Sequence, residues 1–345
     1  MAAAFASPLI EKVKALPFIF HLWGGTGAGK TVGQMVAASI WGCPEKGKMW
    51  RTMDNTVNYV CNLSAFMNSF PVILDELQTV KNGSEGYDKL IMRCCEGTDR
   101  GRMSYDKACE TRTWSCSYIF SGEEPITKPL SGGGASNRVI EAEVKAGEYV
   151  VENGNSVVRF VSKNYGYAGM QFIIGVLEEG DDYLRYEYSD ILDSLTALDT
   201  TDKQAAAMAL MLLADRIACM YIFNGEKPLT ADDVAPFLKR KGEISAAARA
   251  MEFTNNLIAA NISRFLVENK GENWGGVQDG GIVLINKQIL TEKLNEAGFD
   301  FSAVKTAWAN AGYLMMNSQG RYIHNTKCCG VKASYIKLNT EINEG

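Results

Sequence analysis

The chain has 345 residues, 46% of them hydrophobic and 22% charged, with a formal net charge of -5. At roughly 100–200 residues per domain this length predicts two or three domains, and the composition excludes a mainly disordered, collagen-like or fibrous chain. The acid excess argues against a surface that attracts nucleic acid everywhere, though it does not address local patches. Two histidines, His21 and His324, argue against His-rich metal sites and most His-based catalytic triads. Nine cysteines form no C-x-x-C pair, and Cys94-Cys95 and Cys328-Cys329 are sequence neighbours, a poor geometry for disulfides. Reduced thiols and a cytoplasmic location are expected. Met1 to Pro8 lacks the features of a signal peptide, and no apolar run reaches about 18 residues, so no membrane partner is expected.

In chain order, Met1 to Ala15 predicts a short helix ended by Pro17. Phe18 to Trp23 is an apolar run of buried-strand length, followed by the glycine-rich turn Gly24 to Gly29 and a helix over Thr31 to Trp41. Met49 to Met53 predicts a second strand, Thr56 to Ser69 a helix, and Pro71 to Leu74 a third strand ending in Asp75-Glu76. Tyr87 to Cys95 reads as helix and Glu96 to Thr113 as a hairpin or loop; Trp114 to Phe120 and Val139 to Val144 read as strands. Strands separated by helices imply a mostly parallel α/β sheet. Beyond residue 178 the character changes: 178–202 carries nine acidic residues against Arg185 alone. Lys203 to Phe223 and Glu243 to Glu268 read as helices, and five glycines between Gly271 and Gly281 mark a linker. Helix-like Asn286 to Ala297 and Phe301 to Ala311 precede strand-like Tyr313 to Met316, Arg321 to His324 and Ser334 to Leu338. Helices followed by a β-ribbon suit a winged-helix domain, for DNA or for packing on the rest of the protein.

Gly24 to Thr31 fits G-x-x-x-x-G-K-[ST]. Such a loop lets backbone amides of Gly25, Thr26, Gly27, Ala28 and Gly29 wrap a polyphosphate. Lys30 neutralises the β- and γ-phosphates, Thr31 offers a hydroxyl to Mg²⁺, and the following helix presents its positive end. The preceding strand and following helix are the context this motif needs, so ATP and Mg²⁺ are the expected cofactors. Val72-Ile-Leu-Asp75-Glu76 supplies the matching acid: Asp75 for the metal shell and Glu76 as general base for water. The interval from loop to Asp75 leaves room for a helix, a strand and a second helix. That suits a sheet in which another strand lies between the loop strand and the Asp75 strand, as in AAA+ ring ATPases. Ser121, at the end of the fourth strand, is the candidate contact to γ-phosphate or water. Arg138, just before the fifth strand, is the candidate arginine finger for a neighbouring protomer.

Together these residues resemble the domain-of-unknown-function 927 (DUF927) family, helicase-like AAA+ proteins of phages and mobile elements. The matching stretches are Ala6 to Leu9, Phe20 to Gly24, the phosphate loop, Val36 to Gly42, Trp50, Asp54-Asn55, Leu74 to Gln78, Ser121 to Glu124, Gly134 to Arg138 and Tyr165 to Gly169. They cover residues 6–175 well and the rest loosely. The resemblance implies an ATP-driven oligomeric motor, a replicative helicase or its accessory, with Lys30, Thr31, Asp75, Glu76 and Arg138 in the roles above. Family members usually carry a sizeable region ahead of the ATPase, in some a primase. Here the ATPase begins almost at Met1, so a fragment, a split gene or a shortened form is expected.

The fold class expected is a P-loop NTPase of the AAA+/ASCE type: residues 1–175 a parallel sheet flanked by helices, 176–270 a helical lid, and 271–345 a winged-helix-like domain. The function expected is a homo-oligomeric ring, a hexamer, that moves single-stranded DNA. The alternatives are an ATP-binding switch that engages a protein partner without unwinding DNA, and a monomeric P-loop kinase; the Asp75-Glu76 pair and Arg138 favour the motor. Arg100 and Arg102, with Tyr105 or Lys107, are candidate pore contacts to DNA, although 81–112 holds seven bases against six acids. The stretch Phe301 to Leu338 carries Lys305, Arg321, Lys327, Lys332 and Lys337 without an acid. Arg216 reads as an ordinary surface arginine, and no chemistry is assigned to the cysteines.

Overall fold

The computed structural model describes residues 1–53, 56–77, 87–99, 103–104, 107–108, 111–127, 131–145, 147, 153–266, 273–278 and 280–340. It divides into two compact units, Met1–Arg240 and Lys241–Gly345.

The first unit opens with two short helices, α1 (Ala2–Phe5) and α2 (Leu9–Lys12), split at Pro8 where the sequence suggests one. There follow β1 (Ile19–Trp23), α3 (Lys30–Ser39), β2 (Trp50–Thr52), α4 (Val57–Met67), β3 (Val72–Asp75) and α5 (Asp88–Cys95). The two-residue strands β4 (Met103–Ser104) and β5 (Lys107–Ala108) pair antiparallel as a hairpin. Then come β6 (Tyr118–Gly122), α6 (Gly133–Ser136), β7 (Val139–Glu143), α7 (Gly154–Val161), α8 (Tyr167–Thr196), α9 (Asp202–Tyr221) and α10 (Ala231–Val234). The five-stranded sheet runs β2-β3-β6-β1-β7 with every pairing parallel. β6 thus lies between the loop strand β1 and the acid strand β3, as their spacing in sequence requires.

Period-two alternation buries this sheet on both faces. Val72, Leu74, Tyr118, Phe120 and Val139 face one core with Val60 and Met67 of α4 and Leu90 and Ile91 of α5. Ile73, Ile119 and Ile140 face the other, with Phe5, Ala37, Phe172 of α8 and much of α9. Two fully buried glutamines tie helices to strands. Gln34 of α3 donates to Leu74 O (3.0 Å) and Ile119 O (3.3 Å) and accepts from Trp50 Nε1 (3.2 Å). Gln204 of α9 donates to Val139 O at 2.8 Å and Ser136 O at 3.2 Å. The N-terminal turn is pinned as well: Ser7 Oγ accepts from Ser117 N at 3.0 Å, and Trp41 Nε1 donates to Ala4 O at 3.0 Å.

Among the described residues α9 alone is long and apolar enough to cross a membrane, but most of it is buried against the sheet and α8. Within α8 the backbone leaves the helical region at Gly180, with φ 77° and ψ 161°. Three of the acids beyond this kink are paired: Asp181 with Lys12 at 3.0 Å and with Arg185 at 3.5 Å, Asp182 with Arg185 at 3.5 Å, and Glu187 with Arg216. Arg216 is therefore an ion-pair partner within this unit.

The second unit contains α11 (Lys241–Ile244), α12 (Ala246–Ala260), β8 (Gly275–Gln278), β9 (Ile282–Asn286), α13 (Lys287–Glu296), α14 (Phe301–Asn310), β10 (Ile323–Cys328) and β11 (Val331–Asn339). Its antiparallel sheet runs β10-β11-β9-β8. The break between units falls inside the stretch read as a lid. α8, α9 and α10 pack with the sheet of the first unit, whereas α12 joins the core of the second, where Trp308 Nε1 donates to Ala247 O at 2.8 Å. The single helix read over Glu243 to Glu268 is interrupted at Ser245, whose side chain caps α12. Two of the glycines read as a linker, Gly275 and Gly276, lie in a strand instead: a Cβ on Gly275 would meet Leu284 O at 1.8 Å, so only glycine permits this pairing. Trp114 to Ser117 precede β6 without being part of it, and the run from Tyr313 contributes only the bridge Leu314–Leu338.

Gln34→Leu should destabilise the first unit by about 1–3 kcal/mol, the cost of buried groups left without partners. Chemical denaturation of the full chain, followed by tryptophan fluorescence, measures it. No shift in the transition would show that the staple is dispensable.

Candidate nucleotide site

The phosphate loop follows β1 at the carboxyl edge of the parallel sheet, where open α/β sheets hold ligands. Its entry is fixed from two sides: Gly24 N donates to Gly122 O at 3.3 Å, and Val144 N donates to Trp23 O at 2.7 Å. Gly24 has φ 147°, and a Cβ there would stand 2.3 Å from Val144 O. The loop ends at Gly29, φ 88°, which caps α3 and aims the first free amides of the helix into the loop. Lys30 Nζ lies across the mouth, donating to Gly24 O at 2.7 Å and Gly25 O at 2.8 Å. Thr26 Oγ1 donates to Glu123 Oε1 at 3.1 Å.

Asp75 ends β3, buried to 6% exposure, and gathers three donors. Thr31 Oγ1 reaches its Oδ2 at 2.9 Å. Ser121 Oγ, at the end of β6, and Glu76 N, at 3.0 Å, both donate to its Oδ1. Residues 44 and 46 positions from Asp75 thus meet on one carboxylate. These hard oxygens suit Mg²⁺, which Thr31 and Asp75 would hold and whose charge would offset that of phosphate. Glu76 follows directly, exposed, with φ 59°. A left-handed backbone at a residue with a side chain carries strain, which turns the chain sharply out of β3 beside the acid.

Arg138 lies at the other edge of the sheet. Its carbonyl accepts from Ile19 N, where β1 begins. β1 spans five residues at about 3.3 Å each, so roughly 16 Å of strand separates Arg138 from the loop of its own chain. Its Nη1 donates to Gly134 O at 2.6 Å, while its Nε is buried without a partner. The sequence therefore brings Lys30, Thr31, Asp75, Glu76 and Ser121 together and holds Arg138 apart from them. Arg100, Arg102 and Tyr105 lie outside the described residues; Lys107 is on β5, opposite Ser104.

Two groups near the loop lie in matching stretches but have no role assigned from the sequence. Glu123 bonds Thr26, yet in sequence it is one acid among several. His21, on β1, is fully buried with Nε2 bonded to Glu124 O at 2.9 Å and Nδ1 without a partner. Burial pushes His21 below the usual imidazole value of 6.5. Burial would raise Glu141, beside it on β7, but Lys239 at 2.6 Å and Thr127 outweigh this and hold it below its ordinary value. The described cysteines are all free, and burial raises the Cys94, Cys95 and Cys116 thiols, the last to about 12, which makes them poor nucleophiles. Among the described residues no group of three His, Cys, Asp or Glu could hold a metal ion.

A parallel sheet of this order, with this loop and acid at its carboxyl edge, defines the class: an α/β P-loop nucleotide-binding fold. The family model "Domain of unknown function (DUF927)" matches residues 1–113, and "Cch helix turn helix domain" matches 245–343. Residues 1–113 are thus a DUF927 domain, as their motifs suggest. Among solved structures, "SCCmec type IV Cch - active helicase" superposes with a TM-score of 0.75 at 19% identity, over 99% of this chain and 65% of that one. The likeness shows a common fold, and this chain spans 65% of that protein's length. The C-terminal region of NrS-1 aligns at 13% identity over 97% of this chain and 70% of that one, with a TM-score of 0.31, too low to carry an argument. A comparison with curated proteins finds no match.

The buried His21 and Glu141 give a signed pH dependence. Both are lowered in the folded chain, so the unfolded chain takes up protons first. Stability is fully present above the ordinary histidine value of 6.5 and falls as pH drops below it toward the depressed folded values. Thermal melting between neutral pH and pH 5 should show this fall, with a shallower slope in His21→Gln; equal slopes would remove His21 as the cause.

Proposed function

We propose that this chain is an ATP-hydrolysing motor of a phage or mobile element. It works in the cytoplasm as a homo-oligomeric ring, a hexamer in this reading, on single-stranded DNA, and serves replication as a helicase or translocase. The observation that supports this most is the convergence of Thr31 and Ser121 on Asp75 at the loop mouth, with Glu76 beside it.

In this reading the amides from Gly25 to Gly29 bind the phosphates of ATP, and Lys30 exchanges the Gly24 and Gly25 carbonyls for β- and γ-phosphate oxygens. Thr31 and Asp75 hold Mg²⁺, which when bound neutralises phosphate charge. Glu76 takes a proton from water as the water oxygen attacks the γ-phosphorus; the bond to the bridging oxygen breaks, leaving ADP and phosphate. Ser121 keeps the Asp75 carboxylate oriented and faces the γ-phosphate. Arg138, a strand's length from its own loop, serves the nucleotide of the next protomer, which is what makes the ring necessary. Arg100, Arg102 and Lys107 come just ahead of β6 in the chain and are proposed contacts to DNA in the pore. A fold shared with an active helicase is consistent with this reading.

Lys30→Ala should abolish nucleotide binding, while Glu76→Gln should keep binding and lower hydrolysis on the order of 10²–10⁴-fold. Equal loss of binding in the two variants would overturn these roles. ATPase activity should rise with protein concentration and with added single-stranded DNA, and Arg138→Ala subunits should depress wild-type activity more than in proportion when mixed in. A particle that stays monomeric with ATP and DNA, or a merely additive mixture, would reject the ring.

A further inference from the structure

We infer that the outer face of α8 docks a second copy of this chain, the two α8 helices lying antiparallel about a two-fold axis. This goes beyond the motor reading and does not rest on it. A two-fold contact uses the same face on both copies and closes at two, so it is separate from the head-to-tail contact that a ring needs.

Before its kink at Gly180, α8 carries Tyr167, Met170, Ile174 and Leu177 at spacings of three, four and three residues. That spacing lines one helix face. The four side chains are 74, 70, 45 and 67% exposed. They cannot turn inward, because the opposite face is already filled. Phe172 and Val176 lie in the core there. A Cβ on Gly169 would stand 2.6 Å from the Trp41 ring, and one on Gly175 2.6 Å from the Tyr221 ring. Small residues thus seat α8 flush on its own chain, and its large ones face solvent.

The apolar face extends past the stripe. Phe160 of α7, Tyr165 and Tyr167 wall a groove of about 390 Å³ against Val36 and Ile40. Phe70 stands edge-on to Trp41, with ring centroids 5.5 Å apart, and Phe66 of α4 is exposed just ahead of it. The largest apolar patch on a typical monomer is about 300–600 Å². At roughly 100 Å² exposed apiece, about half of what an aromatic side chain can bury, these eight side chains approach the ~800 Å² per partner of a standard interface.

Two features point to a second copy as the occupant. Spacings of three, four and three read the same in both directions. An inverted copy therefore sets its Leu177 against Tyr167, at the mouth of the groove, and its Ile174 against Met170. The charges invert in the same way. From 153 to 177 the chain holds Arg159 and Lys163 and no acid, whereas Glu178 and Asp182 follow at the far end. Arg159 and Lys163 are exposed and form no ion pair with a described acid. Asp182 is held by Arg185 at 3.5 Å yet is fully exposed. The stripe is about 15 Å long at 1.5 Å per residue, so one contact spans both ends. Antiparallel copies bring the basic end of each to the acidic end of the other, whereas parallel copies would set like against like.

The test is sedimentation velocity of the full chain without nucleotide, over roughly 1–100 μM, the range that brackets a micromolar Kd. The chain should pass from monomer to dimer as concentration rises. Met170→Glu/Leu177→Glu should raise the dimer Kd at least about a hundredfold, because the contact would bury unpaired charge. Its melting temperature, read at a concentration where the wild type is monomeric, should not move. Arg159→Glu/Lys163→Glu should weaken the dimer at least about tenfold, and adding Glu178→Lys/Asp182→Lys to the same chain should restore it. Arg138→Ala should leave the dimer intact. A chain that stays monomeric throughout the range overturns the inference. So does a dimer indifferent to Met170→Glu/Leu177→Glu, a charge reversal that the second reversal does not rescue, or attachment to phosphatidylcholine vesicles in place of dimerisation.

Discussion

A carboxylate buried at the end of an apolar strand is costly unless its oxygens are bonded, and Asp75 is bonded on both. Thr31 comes from the helix after β1, Ser121 from the end of β6 and the Glu76 amide from the turn out of β3. One side chain therefore sets the relative heights of three neighbouring strand ends. The loop can be open and glycine-rich because its far side is fixed by this acid. The left-handed turn at Glu76 belongs to the same arrangement, since it delivers the amide and aims the next carboxylate outward.

The buried glutamines extend this logic through the layers. Gln34 holds the loop helix against the carbonyls of β3 and β6, and Gln204 does the same for α9 against β7. Each replaces slippery apolar contact by directed hydrogen bonds, so helix and strand cannot slide. Residues 1–12 join the same scheme through Ser7 and Ala4.

Much of this was legible in the sequence. Apolar runs bounded by proline or glycine mark the strands, and the loop declares itself because few other residues satisfy its backbone angles. The interval between loop and acid anticipates the strand lying between them. Other features leave no trace in spacing. Gln34 is one polar residue in a helix, and nothing local shows that it is fully buried. Glycine count cannot separate a flexible linker from a strand pressed against its neighbour, so Gly275 and Gly276 misled where Leu284 decides. The helix over Glu243 to Glu268 keeps its apolar period through Ser245, and only the cap geometry reveals the interruption. The division at Arg240 is set by which core each helix fills, a property of packing and not of composition.

The position of Lys30 has a consequence for selectivity. Its ammonium is already satisfied by two carbonyls of the loop it guards. The lysine is thus latched to its own loop, and on the proposed nucleotide reading a bound anion takes it only by replacing those carbonyls. A longer polyphosphate would meet more of the amides from Gly25 to Gly29 and so offset more of what opening the latch costs. On that reading the loop would act as a threshold, favouring chains of phosphate over single small anions without any contact dedicated to refusing them.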